Sequence, residues 1–102
     1  MKLTSNKKFE VKDTDVIFTL RNPTNEEINK YYASKLDISG KTVKDNSVQA
    51  RCELFDLLLT NIENLEDDNG IVTTDRKNAI PLKWKGEAIF KAFDESEIDL
   101  KN

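Results

Sequence analysis

Residues 47–65, SVQARCELFDLLLTNIENL, hold the largest concentration of apolar side chains in the chain. At 3.6 residues per turn, one side of a helix would carry Val48, Cys52, Phe55, Leu59 and Ile62. The apolar stripe covers more than half of the circumference of the helix, because it also includes Leu54, Leu57, Leu58 and Leu65. We therefore predict a helix over about 47–65 that is buried from two sides.

Length and charge limit the class of protein. A chain of 102 residues predicts a single domain over 1–102, and its polar ends predict loose segments at about 1–7 and 95–102. With 16 Lys and Arg against 19 Asp and Glu, the net charge of −3 argues against nucleic acid as a partner. The longest apolar run, 57–59, is too short to span a membrane, and the start MKLTSNKK lacks the apolar part of a secretory signal.

Alternation of apolar and polar residues predicts a β-hairpin before the first helix. The apolar positions Phe9, Val11, Val16, Phe18 and Leu20 have the period of two that strands require. We predict strands at about 8–12 and 15–21, joined by a turn at 12–15. A two-stranded ribbon alone is marginal in water, so this hairpin needs the central helix or a partner's strand.

Thr24 and Glu27 form a capping box, which predicts a helix over about 25–37 that ends at Ser39-Gly40. Adjacent tyrosines cannot both point inward from a helix, and we expect Tyr31 to be the one at its margin. Residues 41–46 are predicted to be a polar connector, with Asn46 as the N-cap of the central helix.

Four acids within 63–68 precede Asn69-Gly70 and raise the question of a calcium loop. With Gly70 at the sixth place of such a loop, Leu65 and Arg76 would stand where carboxylates are required, so no metal site is predicted. We instead predict a turn in which Asn69 and Gly70 are left-handed, followed by a short third strand within 71–74 and a polar loop at 75–79.

A last helix is predicted over about 83–94, with a shorter helix beginning at Glu87 as the alternative because Gly86 weakens it. Its aromatic residues exceed what one short helix needs for its own core. We predict that they bind a partner protein, and plain core residues are the other interpretation. These candidate partner-binding residues are Trp84, Phe90 and Phe93.

The sequence offers little catalytic chemistry. It contains no histidine, a single cysteine and three scattered glycines, so we predict no catalytic residues, no cofactor-binding site and no metal site. Cys52 lies on the apolar stripe, which favours a buried small hydrophobe over a nucleophile, and one cysteine fits a reducing cytoplasm. The predicted fold class is α+β, an N-terminal β-hairpin packed on about three α-helices, and the protein is not expected to be an enzyme.

Residues 15–93 resemble the small tail assembly chaperones of tailed bacteriophages and prophages. In that family an extended FxLRxPT-like segment leads into helices, and a leucine-rich helix follows an arginine. The first motif is matched by Phe18, Leu20, Arg21, Pro23 and Thr24, and the second by Arg51 and the stretch that ends at Ile62-Glu63. The resemblance implies a protein of the bacterial cytoplasm that keeps the tape measure protein soluble and helps to recruit tail tube subunits.

Two other functions stay open. One is a different phage morphogenesis component, such as a head-tail connector, which would form a homo-oligomeric ring. The other is an acidic inhibitor that mimics nucleic acid, favoured by the acid clusters at 63–68 and 94–99 and weakened by the small net charge.

Overall fold

The computed structural model describes residues 6–39 and 42–94, without the side chains of 36–39, 42–45 and 94. In chain order the elements are β1 (Asn6–Glu10), β2 (Ile17–Arg21), α1 (Asn25–Ser34), β3 (Leu36–Ser39), β4 (Thr42–Asp45), α2 (Ser47–Leu58), β5 (Leu59–Glu63), β6 (Glu66–Asp67), β7 (Gly70–Ile71), a 3-10 helix (Thr74–Ala79), α3 (Leu82–Ile89) and a π-helical turn (Phe90–Asp94). This arrangement confirms the α+β prediction.

The predicted N-terminal hairpin is confirmed. β1 and β2 are antiparallel, with Phe9 opposite Phe18. The turn between them closes where the Val11 N–H donates to the Val16 carbonyl at 3.0 Å, and Asp13 adopts a φ of 64°. β1 starts two residues earlier than predicted, and β2 starts two residues later. β1 therefore includes part of the segment that was expected to be loose at 1–7. Residues 1–5 and 95–102 lie outside the described part.

Helix α1 begins as predicted. The Glu27 N–H donates to Thr24 Oγ1 at 3.1 Å, and the Thr24 N–H donates to Glu27 Oε1 at 2.8 Å, which completes the capping box. The predicted end at 37 is wrong, because the helix ends at Ser34 and the chain turns into β3. The predicted glycine cap at Gly40 lies outside the described residues.

Two further expectations near α1 are wrong. The segment 41–46 was predicted to be a polar connector, with no strand expected in it, but it contains β4, which pairs antiparallel with β3. Tyr31 is buried and Tyr32 is exposed, the reverse of the prediction. Tyr31 lies three residues after Ile28, so the two share one helix face, and this face is the one that packs against the core.

The central helix starts at Ser47 as predicted, but its predicted end at 65 is wrong. Leu59 has extended backbone angles, and residues 59–63 form β5, which pairs antiparallel with β2. Thr60, Asn61 and Ile62 are weaker helix formers than the leucines before them, and pairing with β2 gives their backbone groups hydrogen-bond partners. The third strand of the sheet is therefore β5. Of the separate strand predicted within 71–74, only Ile71 is in a strand, where it pairs with Glu66 in the short β6–β7 ribbon.

The core forms where α2 lies against the sheet and α3. Phe18 of β2 meets Phe55 of α2 edge to face, with ring centroids 5.2 Å apart, and both side chains are completely buried. Helix α2 is buried along Ala50, Leu54, Phe55 and Leu58, whereas Val48 and Leu57 are exposed. Val48 and Leu57 were predicted to belong to the apolar surface that is buried from two sides, and for these two positions the prediction is wrong.

The C-terminal half follows the prediction in part. Gly70 has a φ of 111° and supplies the left-handed residue of the β6–β7 turn. Asn69 was also predicted to be left-handed, which is wrong, because its φ is not positive. The expected loop at 75–79 is a 3-10 helix. Helix α3 and the π-helical turn together cover the predicted 83–94, with Gly86 inside the helix, so the shorter alternative from Glu87 is wrong.

Neighbouring leucines on α2 provide a matched test of this core. Leu58 has no exposed surface, and Leu57 is 51% exposed. We expect Leu58→Ala to lower the free energy of unfolding by about 2–5 kcal/mol, because it leaves a cavity. Leu57→Ala should change it by about 0.5 kcal/mol or less. Urea denaturation measures both values, and equal losses in the two variants would contradict this assignment of the buried face.

The capping box predicts a dependence of stability on pH. Hydrogen bonds from Arg21, and next from the Thr24 backbone, lower the pKa of Glu27 from 4.5 to about 2. A lowered pKa in the folded state means that ionised Glu27 stabilises the fold above about pH 4.5, and that this contribution is lost as the pH falls through about 2. Glu27→Gln should therefore lower the urea midpoint near neutral pH and match the wild type near pH 2. Glu26→Gln, next to it on the exposed side, is the control, and a deficit independent of pH would contradict this role.

Candidate functional site

An open groove of about 1,260 Å³ separates the first strand from the last helix, and we call it the edge groove. One wall is β1 with the turn that follows it, residues 7–14. The opposite wall is α3 with the start of the π-helical turn, and the first turns of α2 close the end. The second wall and the closed end include Val48, Arg51, Leu82, Lys83, Phe90 and Lys91.

Two large apolar side chains stand open to solvent in the edge groove. Val48 on α2 is 64% exposed and Leu82 on α3 is 63% exposed. The same two residues also line a smaller depression of about 420 Å³ beside the groove, where Cys52 is a neighbour. The apolar surface is therefore continuous from one depression to the other, and it is formed where the N-terminal turns of two helices meet.

The edge groove is basic, although the chain is acidic. Among the described residues that line it, the cations are Lys7, Lys8, Lys12, Arg51, Lys83 and Lys91, and the acids are Glu10, Asp13 and Glu87. Six positive against three negative charges leave a local surplus of three, whereas the whole chain has a net charge of −3. The exposed apolar residues Val48 and Leu82 therefore lie in a locally basic part of an acidic protein.

A buried ion pair fixes α3 against α2. Lys85 is only 3% exposed, and its Nζ donates to Asp56 Oδ1 at 2.7 Å. The same ammonium lies 5.9 Å from the centre of the Phe55 ring. Lys77 adds a hydrogen bond from Nζ to the Asp56 carbonyl at 2.9 Å. Because α3 carries one wall of the groove, this pair sets the position of that wall relative to Val48.

The other wall is joined to the π-helical turn by Lys7. Its Nζ donates to the Ala92 carbonyl at 2.9 Å and lies 4.5 Å from the centre of the Phe93 ring. This contact brings the start of β1 to the end of the last helical segment. The groove is therefore closed at this end and open along its length.

The predicted partner-binding aromatic residues do not share one location. Phe90 is half-buried and lines the groove, with the Arg51 guanidinium 5.3 Å from its ring centre. Trp84 and Phe93 are partly buried and pack against the core, and the Trp84 ring lies 6.3 Å from Phe18. A partner-binding role stays a prediction for all three. Leu82 was not predicted from the sequence to be a groove residue. The one sequence feature that could have indicated it is an apolar side chain directly after Pro81.

The acidic turn and the cysteine are occupied by local interactions. Asp67 accepts hydrogen bonds from the Asn69 N–H, at 2.9 Å, and from the Arg76 guanidinium, and the first of these contributes most to lowering its pKa. Burial raises the pKa of the Cys52 thiol, which disfavours the reactive thiolate. Within 6–39 and 42–94, no three His, Cys, Asp or Glu side chains are grouped so as to hold a metal ion.

Comparison of the chain with family models, with curated proteins and with solved structures finds no significant match. Among the helices in the described part of the chain, none has the length and apolar character needed to cross a membrane.

The buried ion pair predicts an asymmetry between its two partners. Asp56→Ala leaves the Lys85 ammonium buried without its carboxylate and should lower the free energy of unfolding by about 3 kcal/mol. Lys85→Met removes the buried charge and leaves Asp56, which is one third exposed, to be solvated by water, so its loss should be about 1 kcal/mol or less. Urea denaturation of both variants checks the order, and a larger loss in Lys85→Met would contradict it.

Proposed function

We propose that this protein binds an apolar segment of another protein in the edge groove and keeps that segment soluble. The observation that supports this most directly is the exposure of Val48 and Leu82 on one continuous apolar surface. A large apolar side chain gains about 1.5–3 kcal/mol when it is removed from water, so two such side chains favour a bound partner. Neighbouring exposed apolar residues with a charged rim are typical of protein interaction sites.

The biological role that we propose is that of a phage tail assembly chaperone. The resemblance of residues 15–93 to that family names the tape measure protein as the partner, with the tail tube protein as the second. A groove that is open along its length suits a long partner, because a segment of the partner can enter from the side without being threaded past a closed end. We further propose that the protein acts in the cytoplasm of the bacterial host and catalyses no reaction.

Co-expression tests this proposal. A tape measure fragment encoded beside the gene for this chain should be soluble with the wild-type protein and insoluble without it. The double variant Val48→Ser, Leu82→Ser should reduce the soluble fraction at least about fivefold, because the loss of two apolar contacts of this size corresponds to a factor of ten or more in affinity. Soluble and insoluble fractions are compared on gels.

Two other exposed apolar residues of the protein provide a matched control. Leu57 and Ile71 are 51% and 68% exposed and lie outside the edge groove. The double variant Leu57→Ser, Ile71→Ser should therefore keep the fragment soluble. Full solubility with the Val48 and Leu82 variant would overturn the proposal. Rings formed by the purified protein alone would favour the connector function instead.

A further inference from the structure

β1 is an edge strand of its sheet. The strand order is β1-β2-β5, so β1 is hydrogen-bonded to β2 on one side. In the part of the chain that the structure describes, no strand pairs with its other side. The backbone N–H and C=O groups on that side are available to a strand from another molecule.

The edge groove runs along this unpaired side. Side chains alternate between the two faces of a strand, so a groove over one face would be lined by every second residue. Here all residues from Lys7 to Lys12 line the groove without a gap. Such continuous lining favours a groove that follows the edge of the strand, with the sheet face beside it represented by Leu20 of β2, and we infer that backbone groups of β1 form part of its wall.

The charges around this edge favour one kind of strand. Lys8 and Lys12 lie on the strand side, and Lys83 and Lys91 lie on the helix side. A second copy of β1 would add two lysines and only one acid, Glu10, to a groove that is already basic, which is unfavourable. An acidic strand would instead be attracted by the positive charge of both walls.

The apolar residues define the other half of the pattern. Phe9 on β1, Val48 on α2, and Leu82 and Phe90 on α3 and the π-helical turn all line the groove. An incoming strand has two faces, so it can present apolar side chains to these four residues and acids to the lysines. This requires acidic and apolar residues in alternation.

We propose that the edge groove takes an extended, acidic segment of a partner protein, in which acidic and apolar residues alternate, and that this segment pairs with β1 as an added strand of the sheet. The inference rests on the proposed function and specifies its partner. The strand and turn residues 7–12 provide room for about six residues of the partner, at 3.3 Å per residue.

A labelled peptide tests this inference on the whole protein. The probe is an eight-residue peptide of alternating glutamate and valine, with a fluorophore, and binding is followed by fluorescence anisotropy. The double variant Lys8→Glu, Lys12→Glu should bind it at least about tenfold more weakly. Lys30→Glu, an exposed charge reversal on α1 outside the groove, should bind it as the wild type does. Glu10→Gln should bind it more tightly, since it removes one of the three acids in the groove.

A second peptide tests the strand pairing itself. Methylation of alternate backbone nitrogens of the probe removes N–H donors on one edge while the side chains stay the same. We expect at least about a tenfold loss for one of the two methylation patterns, because only one edge of the peptide can face β1. Amide hydrogen exchange of the wild-type protein should also show new protection within β1 when the unmethylated probe is bound.

The outcomes separate this inference from the proposed function. Equal binding of both methylated peptides and the parent would overturn the pairing with β1. Tighter binding of an oligothymidine of the same length would overturn the choice of a protein partner for this groove. If the probe does not bind but the Val48 and Leu82 variant still fails to keep the tape measure fragment soluble, the inference fails and the proposed function stands.

Discussion

The rest of the structure depends on the packing of β2. This strand is hydrogen-bonded on both sides, and its buried Phe18 contacts Phe55 of α2 and Trp84 of α3. The hairpin, the central helix and the last helix therefore meet at one side chain. A sheet this small cannot bury its own face, so the two helices supply the apolar cover that keeps β2 and its neighbours out of water.

Local signals made part of the fold predictable from the sequence. The hairpin follows from alternation over a few residues, and the start of α1 follows from Thr24 and Glu27, which bond to each other. The end of α2 could not be predicted in this way. Leu59 and Ile62 fit the helical spacing of the residues before them, and the competing interaction is the edge of β2, which lies far away in the sequence. Pairing with that edge gives the backbone N–H and C=O groups of 59–63 hydrogen-bond partners, and this makes the segment a strand instead of a continuation of the helix.

The candidate site was less predictable than the fold, because exposure depends on what the neighbouring elements leave uncovered. Periodicity assigned Val48 to the buried stripe of α2, but it lies in the first helical turn, where the described elements leave it open. Phe90 was identified from aromatic content alone, whereas Trp84 and Phe93, identified by the same reasoning, pack against the core. The concentration of positive charge around the groove is invisible in the net charge, since acids elsewhere in the chain outnumber the basic residues, and the groove collects its bases from three separate parts of the chain.

The pairing of β2 with β5 has a consequence for how the chain reaches this structure. The Thr60 hydroxyl donates to the Thr19 carbonyl, 41 residues earlier in the chain. During synthesis, the backbone groups on one edge of β2 therefore lack their β5 partners until α1, β3, β4 and α2 have all left the ribosome. Closing a loop of this length is slow relative to forming a hairpin, and the exposed edge is prone to aggregation in the meantime. Nascent chains stalled before residue 59 should therefore be the species most dependent on the cell's folding machinery.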